Sequence, residues 1–175
     1  MMRSRRDRTR GANMVEFTLV GIPLIFILIT TFEVTRGMWM YQTLAAAVKE
    51  GTRYAVVHGK NCALSPNSCT VTISQIATRI QNSGPGLSGS ASAVSLTFTD
   101  SGGNSTACTL SNCIANYTSS AWPSSTYNAV GQAITISGTF TFDSVICMLW
   151  PGGGGTYGPS GTLHLSAYST ESIQF

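Results

Sequence analysis

Charged residues are scarce in this chain: Asp, Glu, Lys and Arg make up 10% of its 175 residues, against 43% hydrophobic. A soluble domain ordinarily carries about 25% charge, so the shortage points to a membrane segment. Histidine is almost as rare, with only His58 and His164, and no two cysteines stand in a C-x2-C pair, which speaks against a metal site. The body offers no G-x-S-x-G, and its carboxylates beyond residue 59, Asp100, Asp143 and Glu171, fall at no spacing suited to paired acid–base work. The glycine run Gly152 to Gly155 has no following GKS or GKT and reads as a hairpin loop rather than a phosphate cradle. We therefore expect no catalytic residues, no cofactor and no metal.

Positive charge is lacking as well once the first residues are set aside. Five of the ten Lys and Arg (Arg3, Arg5, Arg6, Arg8, Arg10) lie in the first ten residues beside one acid, Asp7. Without residues 1–11, and thus without their surplus of four positive charges, the net charge of +3 becomes −1. No clustered basic surface is left for a nucleic acid.

What the chain does contain is one long apolar run. Phe17 to Phe32, FTLVGIPLIFILITTF, holds no charged residue, and with Ala12 to Glu16 it is interrupted only by Glu16. About 20 residues suffice to cross a hydrocarbon core, and the preceding arginines place the N-terminus in the cytoplasm with everything after the crossing on the far side. A cleaved secretory signal shares the basic start and apolar run. Against it stand the residues TTFEVTRG that follow Ile29, with no small-x-small site, and the carboxylate inside the apolar segment. Gly21 and Pro23 lie within this half. Proline removes a backbone donor and crowds the preceding turn, so a kink or local melting near residues 19–23 is expected, although such prolines are also tolerated in membranes without any role.

Helical periodicity continues past Phe32. Val34, Met38, Tyr41, Ala45, Val48, Gly51 or Thr52 and Ala55 recur at steps of three and four, the pattern of one apolar stripe. Glu33 with Arg36 and Glu50 with Arg53 are spaced to pair on its wet side, and Gly59 is a natural stop. One helix from near Met14 to near His58 is expected, about 65 Å long at 1.5 Å per residue. Beyond it the composition turns to Ser, Thr, Gly and Asn. TISQIATRIQN at 72–82 reads as a short helix with Ile73, Ile76, Ala77 and Ile80 on one face. Three segments alternate with period two, around Val94 to Phe98, Ile134 to Phe142 and Leu163 to Ala167. By the same alternation, His164 faces outward.

The expected fold class is α+β: a long N-terminal helix packed on a small antiparallel sheet of three or four strands. Its organisation is a basic leader over 1–11, a membrane segment over 12–33, an amphipathic continuation over 34–58 and a β-rich head over 59–175. All five cysteines follow the apolar run, on the side where oxidation is permitted. Spacing favours Cys62 with Cys69 and Cys108 with Cys113, without deciding it, and leaves Cys147 as a buried apolar thiol or a reactive one. Asn104-Ser105-Thr106 and Asn116-Tyr117-Thr118 fit a glycosylation pattern that is frequent by chance.

The start of the helix is the specific part. Arg10-Gly11-Ala12-Asn13-Met14-Val15-Glu16-Phe17 resembles the processing site of type IV pilins and pseudopilins, a basic leader ending in glycine with glutamate at the fifth mature position. More narrowly, residues 10–58 resemble TadE-like pseudopilins of the tight-adherence (Tad, or Flp pilus) apparatus. The likeness is carried by Val15-Glu16-Phe17, Pro23, Phe32-Glu33 and Glu50-Gly51-Thr52-Arg53-Tyr54-Ala55, and more loosely by residues 132–175. Asn13 and Thr52 stand where family members often have alanine. Relatives with a von Willebrand factor module are excluded, since no D-x-S-x-S occurs at Asp100 or Asp143.

The resemblance implies that a prepilin peptidase cuts between Gly11 and Ala12, and that Glu16, beside Phe17, meets the new amine of a neighbouring subunit. Glu16 also lies only about 6 Å along the helix from Ala12, close enough to snorkel to the headgroups instead. The implied partners are the prepilin peptidase, other pilins or pseudopilins, the Tad inner-membrane assembly platform and membrane lipid. The implied location is a bacterial inner membrane, with possible incorporation into the pilus. Two other classes stay open: a membrane-anchored adhesin or ligand-binding head that uses the helix as a tether, and a secreted disulfide-bonded enzyme.

Overall fold

The computed structural model describes residues 6–59, 71–119, 121–143 and 162–174. A single helix, α1 (Arg6–Val56), leads into the head. It is followed by α2 (Ile73–Ser83), β1 (Val94–Thr99), β2 (Ser105–Thr109), α3 (Leu110–Asn116), β3 (Ala133–Asp143) and β4 (Thr162–Ser172). The strands form one antiparallel sheet in the order β2-β1-β3-β4. The layout is α+β, with the long helix laid on β3 and β4 of the sheet and α2 packed against α1 and α3.

α1 already includes Arg6, the first described residue, rather than beginning near Met14. Arg, Asp and Thr do not break a helix, and the lone Gly11 costs only about 1 kcal/mol in its interior. At its other end the chain turns through His58, whose amide donates to Ala55 O (3.2 Å), and the amide of Gln174 donates to Val56 O (3.2 Å), satisfying a carbonyl with no helical partner. α2 begins at a capping box: the Gln75 amide donates to Thr72 Oγ1 (3.3 Å) while the Thr72 amide donates to Gln75 Oε1 (3.1 Å). Its buried residues are Ile73, Ile76, Ala77 and Ile80, as the spacing predicts.

The core lies between sheet and helices. Leu44, Ala47 and Val48 of α1 meet Ile76 and Ile80 of α2 on one side, and Val94, Leu96, Phe98, Ile134, Ile136 and Phe140 of the sheet on the other. Two glycines let the layers approach. A Cβ at Gly138 would stand 3.0 Å from Val48 Cγ2 and 3.1 Å from Leu44 Cδ1, and one at Gly51 would run into Ile80, 2.8 Å from its Cδ1. Glycine inside a strand often marks such a backbone approach.

Four sequence expectations need correction. The expected stripe holds at Val48, Gly51, Thr52 and Ala55, which are buried, but not at Val34, Met38 and Tyr41, which are exposed; there the inward positions include Glu33, Thr43, Leu44 and Ala47. With lipid-type residues all round this stretch, apolar periodicity cannot tell the packed side from the bare one. Glu33 is not on a wet side, being buried with its carboxylate 3.4 Å from Arg36. Glu50 pairs with Arg79 of α2 (3.3 Å) rather than with Arg53. The strand β2 and the helix α3 fall in a stretch read as loop, since STACT is short and its neighbours are Ser, Asn and Gly. Cys108 on β2 and Cys113 on α3 are joined by a disulfide with Cα atoms 5.4 Å apart. Cys62, Cys69 and Cys147 lie outside the described residues.

Asp100 shows why a carboxylate in this head need not be chemical. It is buried at the β1–β2 turn, where it accepts from the amides of Gly102 and Asn104 (3.0 Å each) and from Asn104 Nδ2, an Asx-type turn. His164 is exposed on the outer sheet face, 3.5 Å from Thr141 Oγ1, as alternation predicts.

Candidate functional site in the long helix

Every residue from Met14 to Phe32 is exposed apart from Gly21 and Ile29, which are partly so. Among the described residues nothing from the head covers this stretch, although it is the most apolar of the protein. Among the described residues it is the one helix long and apolar enough to cross a membrane. Its polar groups are dealt with internally. Thr30 and Thr31 donate to Phe26 O and Ile27 O at 2.8 Å, and Thr18 to Val15 O at 2.9 Å, so each hydroxyl is spent on its own helix.

Gly11 and Ala12 lie within the first two turns of α1, and Glu16 follows one turn after Ala12 on the same helical face. Glu16 and Phe17 are both exposed. Among the described residues the salt bridges are Arg36–Glu33 and Arg79–Glu50, and neither involves Glu16. The carboxylate thus projects from a bare apolar helix, where a charge in lipid needs a partner or a route to the headgroups. Pro23 deprives the Leu19 carbonyl of its usual donor, yet the helical backbone runs without a break through residues 19–23. Around Gly21 there is room: a Cβ placed there would meet Phe17 Cε1 at 3.9 Å, an ordinary contact.

Burial begins abruptly at Glu33. Its carboxylate meets Arg36 at 3.4 Å, the guanidinium carbon of Arg36 sits 4.6 Å from the ring centre of Phe142, and Gly37 passes beneath the same ring. The end of β3 therefore rests on α1 where the bare half stops. The family likeness marks Phe32-Glu33 at this point, but sequence reasoning missed Phe142 as the ring that covers it. Period-two alternation marked Phe142 as inward, and only the register of sheet on helix brings it to Arg36.

A shallow cleft of about 290 Å³ lies at the other end of α1, lined by Tyr54, Ser74, Gln75, Thr78, Arg79 and Asn82. Its one charged side chain, Arg79, is engaged with Glu50 and lies 5.9 Å from the Tyr54 ring. The described residues hold no group of three or more His, Cys, Asp or Glu able to bind a metal ion.

No curated protein and no solved structure matches the chain. Residues 11–53 match the family model described as TadE-like protein, a stretch that begins at Gly11, spans the bare half of α1 and ends among its packed turns. A TadE-like family implies association with Tad pilus components, and the bare apolar helix fits a membrane anchor. Over the long helix from Gly11 to Arg53, with the sheet head lying beyond the match, the chain is similar to TadE-like proteins.

Proposed function

We propose that the chain is a minor pilin or pseudopilin that helps to assemble a Tad-type pilus, as a structural component without an active site. It enters the inner membrane with its N-terminus in the cytoplasm and its head outside, and a prepilin peptidase cuts between Gly11 and Ala12. The observation that carries this reading is the pairing of a bare apolar half-helix with the residues Gly11, Glu16 and Phe17 at its start. A glycine before the scissile bond lets the backbone enter a narrow cleft, and the arginines hold that bond at the membrane surface. Cleavage creates an amine at Ala12, and Glu16 of a neighbouring subunit satisfies it as subunits leave the lipid. Two opposite charges that meet in a medium of low dielectric remove the penalty each would pay alone.

The test is the mature N-terminus. Mass spectrometry of the protein from its native membrane is expected to start at Ala12, and Gly11→Leu is expected to leave the leader in place. A start beyond residue 30, or unchanged processing in the Gly11→Leu variant, overturns the proposal. Glu16→Leu separates the pilin reading from a tethered adhesin: pilus assembly is lost in the first case and head function survives in the second.

A further inference from the structure

The apolar exterior of α1 does not end where the head begins. Phe32, Val34, Met38, Trp39 and Tyr41 are all exposed, Met38 and Trp39 at 60% each. We propose that this surface is a lipid-interface belt, and that the membrane-proximal end of the head is seated in the headgroup layer with Trp39 and Tyr41 as its aromatic anchors. The inference rests on the membrane anchoring proposed above.

Length supports it. Between Glu16 and Lys49 the only charged residues are Glu33 and Arg36, which meet at 3.4 Å, with Glu33 buried and the guanidinium over Phe142. The outward surface from Phe17 to Tyr41, about 36 Å at 1.5 Å per residue, therefore carries one charge, the 40% exposed Arg36 side chain near its head end. That length exceeds a hydrocarbon core of about 30 Å but fits within the 40–45 Å or so that includes the headgroups. The excess falls on the stretch that carries Trp39 and Tyr41, the residue types that favour such interfaces for their apolar rings and polar tips.

The angular spread argues for lipid over a second copy of the chain. Taking Leu44 as the direction of the head, and about 100° per residue, Tyr41, Val34, Met38, Trp39 and Phe32 are spread from roughly 60° to roughly 240° around the axis. A partner helix covers one seam of about 100°, whereas lipid surrounds the whole side turned away from the head. Thr35, in the middle of that arc, donates its hydroxyl to Thr31 O at 2.8 Å, the arrangement seen deeper in the bare half. The next exposed polar side chain without such a bond is Gln42, where the belt ends.

Depth-dependent fluorescence quenching tests this. The full chain and its Trp39→Phe variant are reconstituted in phospholipid vesicles carrying bromine either near the carbonyl end or near the terminus of the acyl chains, and their difference isolates Trp39. We expect both proteins to float with the vesicles, and Trp39 to be quenched about twofold more by the shallow bromines than by the deep ones. Flotation with quenching by aqueous iodide and by neither bromolipid rejects the belt while leaving the anchor intact. Stronger quenching by the deep bromines rejects it too. So does protection from every quencher that disappears on dilution into excess lipid, which would identify a second copy as the cover. Failure to float overturns the anchoring reading and the belt with it.

Discussion

Residues 14–32 and residues 33–56 are consecutive parts of one helix, yet they have different surroundings. In the first, large apolar side chains such as Phe17, Leu24 and Phe26 stand exposed; in the second, Leu44, Val48 and Ala55 are buried against the sheet and α2. Backbone and helical period are common to both, so the difference lies in what covers each side chain. For the packed half the cover is built into the fold. For the bare half it must come from outside, which is what a membrane or a neighbouring subunit supplies.

Core deletion sharpens that contrast most. Leu44→Ala removes a fully buried side chain and is expected to destabilise the head by about 3 kcal/mol, within the range for such truncations. Leu24→Ala, at a position 54% exposed, is expected to leave head stability within about 0.5 kcal/mol. Urea titration in detergent, followed by the emission of buried Trp122, reads both. Equal losses in the two variants would mean that the bare half packs on the head after all, and the division of the helix would fail.

Glycine makes the same comparison at smaller amplitude. Gly51→Val drives a side chain into Ile80 of α2 and is expected to cost about 2 kcal/mol by overpacking. At Gly21 the nearest contact is an ordinary 3.9 Å, and Gly21→Val is expected to leave the head's urea midpoint unchanged. A Gly51→Val variant as stable as wild type would show that α2 can shift away from α1, so that the close approach is not required.

How far these features were legible follows from where their signals sit. Apolar composition identified the bare half, and period-two alternation identified β1, β3 and β4, because each signal is local to its segment. The capped helix α2 could be read from its isoleucine spacing for the same reason. The strand β2 could not: STACT has one buried residue, Cys108, and only pairing with β1 makes it a strand. Nor could the inward face of α1 just beyond the bare half, since Val34, Met38 and Tyr41 are as apolar as the residues that pack. Glu33 is the instructive case. A charged side chain normally marks the wet side of a helix, but here its partner Arg36 and the ring of Phe142 let it sit beneath the head. The candidate residues Gly11, Glu16 and Phe17 come from the family pattern, and all three lie within the matched residues 11–53. Phe142, which covers the point where the bare half stops, is far from all three in sequence, and its alternation marks it as inward without saying what it covers.

The smallest expected effect concerns the two ion pairs, which stand at the two ends of the packed half. Glu33–Arg36 joins a carboxylate only 7% exposed, while Glu50–Arg79 leaves its partners 38% and 53% exposed. Water and salt screen the second pair, so its coupling energy in a double-mutant cycle with Glu50→Gln and Arg79→Gln is expected to be about 0.5 kcal/mol or less. At about 1 M salt, where the screening length falls to about 3 Å, the coupling should vanish. Because this pair ties α1 to α2, a coupling above about 1 kcal/mol that survives salt would mean that charge helps to fix the helix on the head. A small, screened value leaves that task to Leu44, Gly51 and their apolar neighbours, so that the two halves of α1 differ by what covers their side chains and not by their charges.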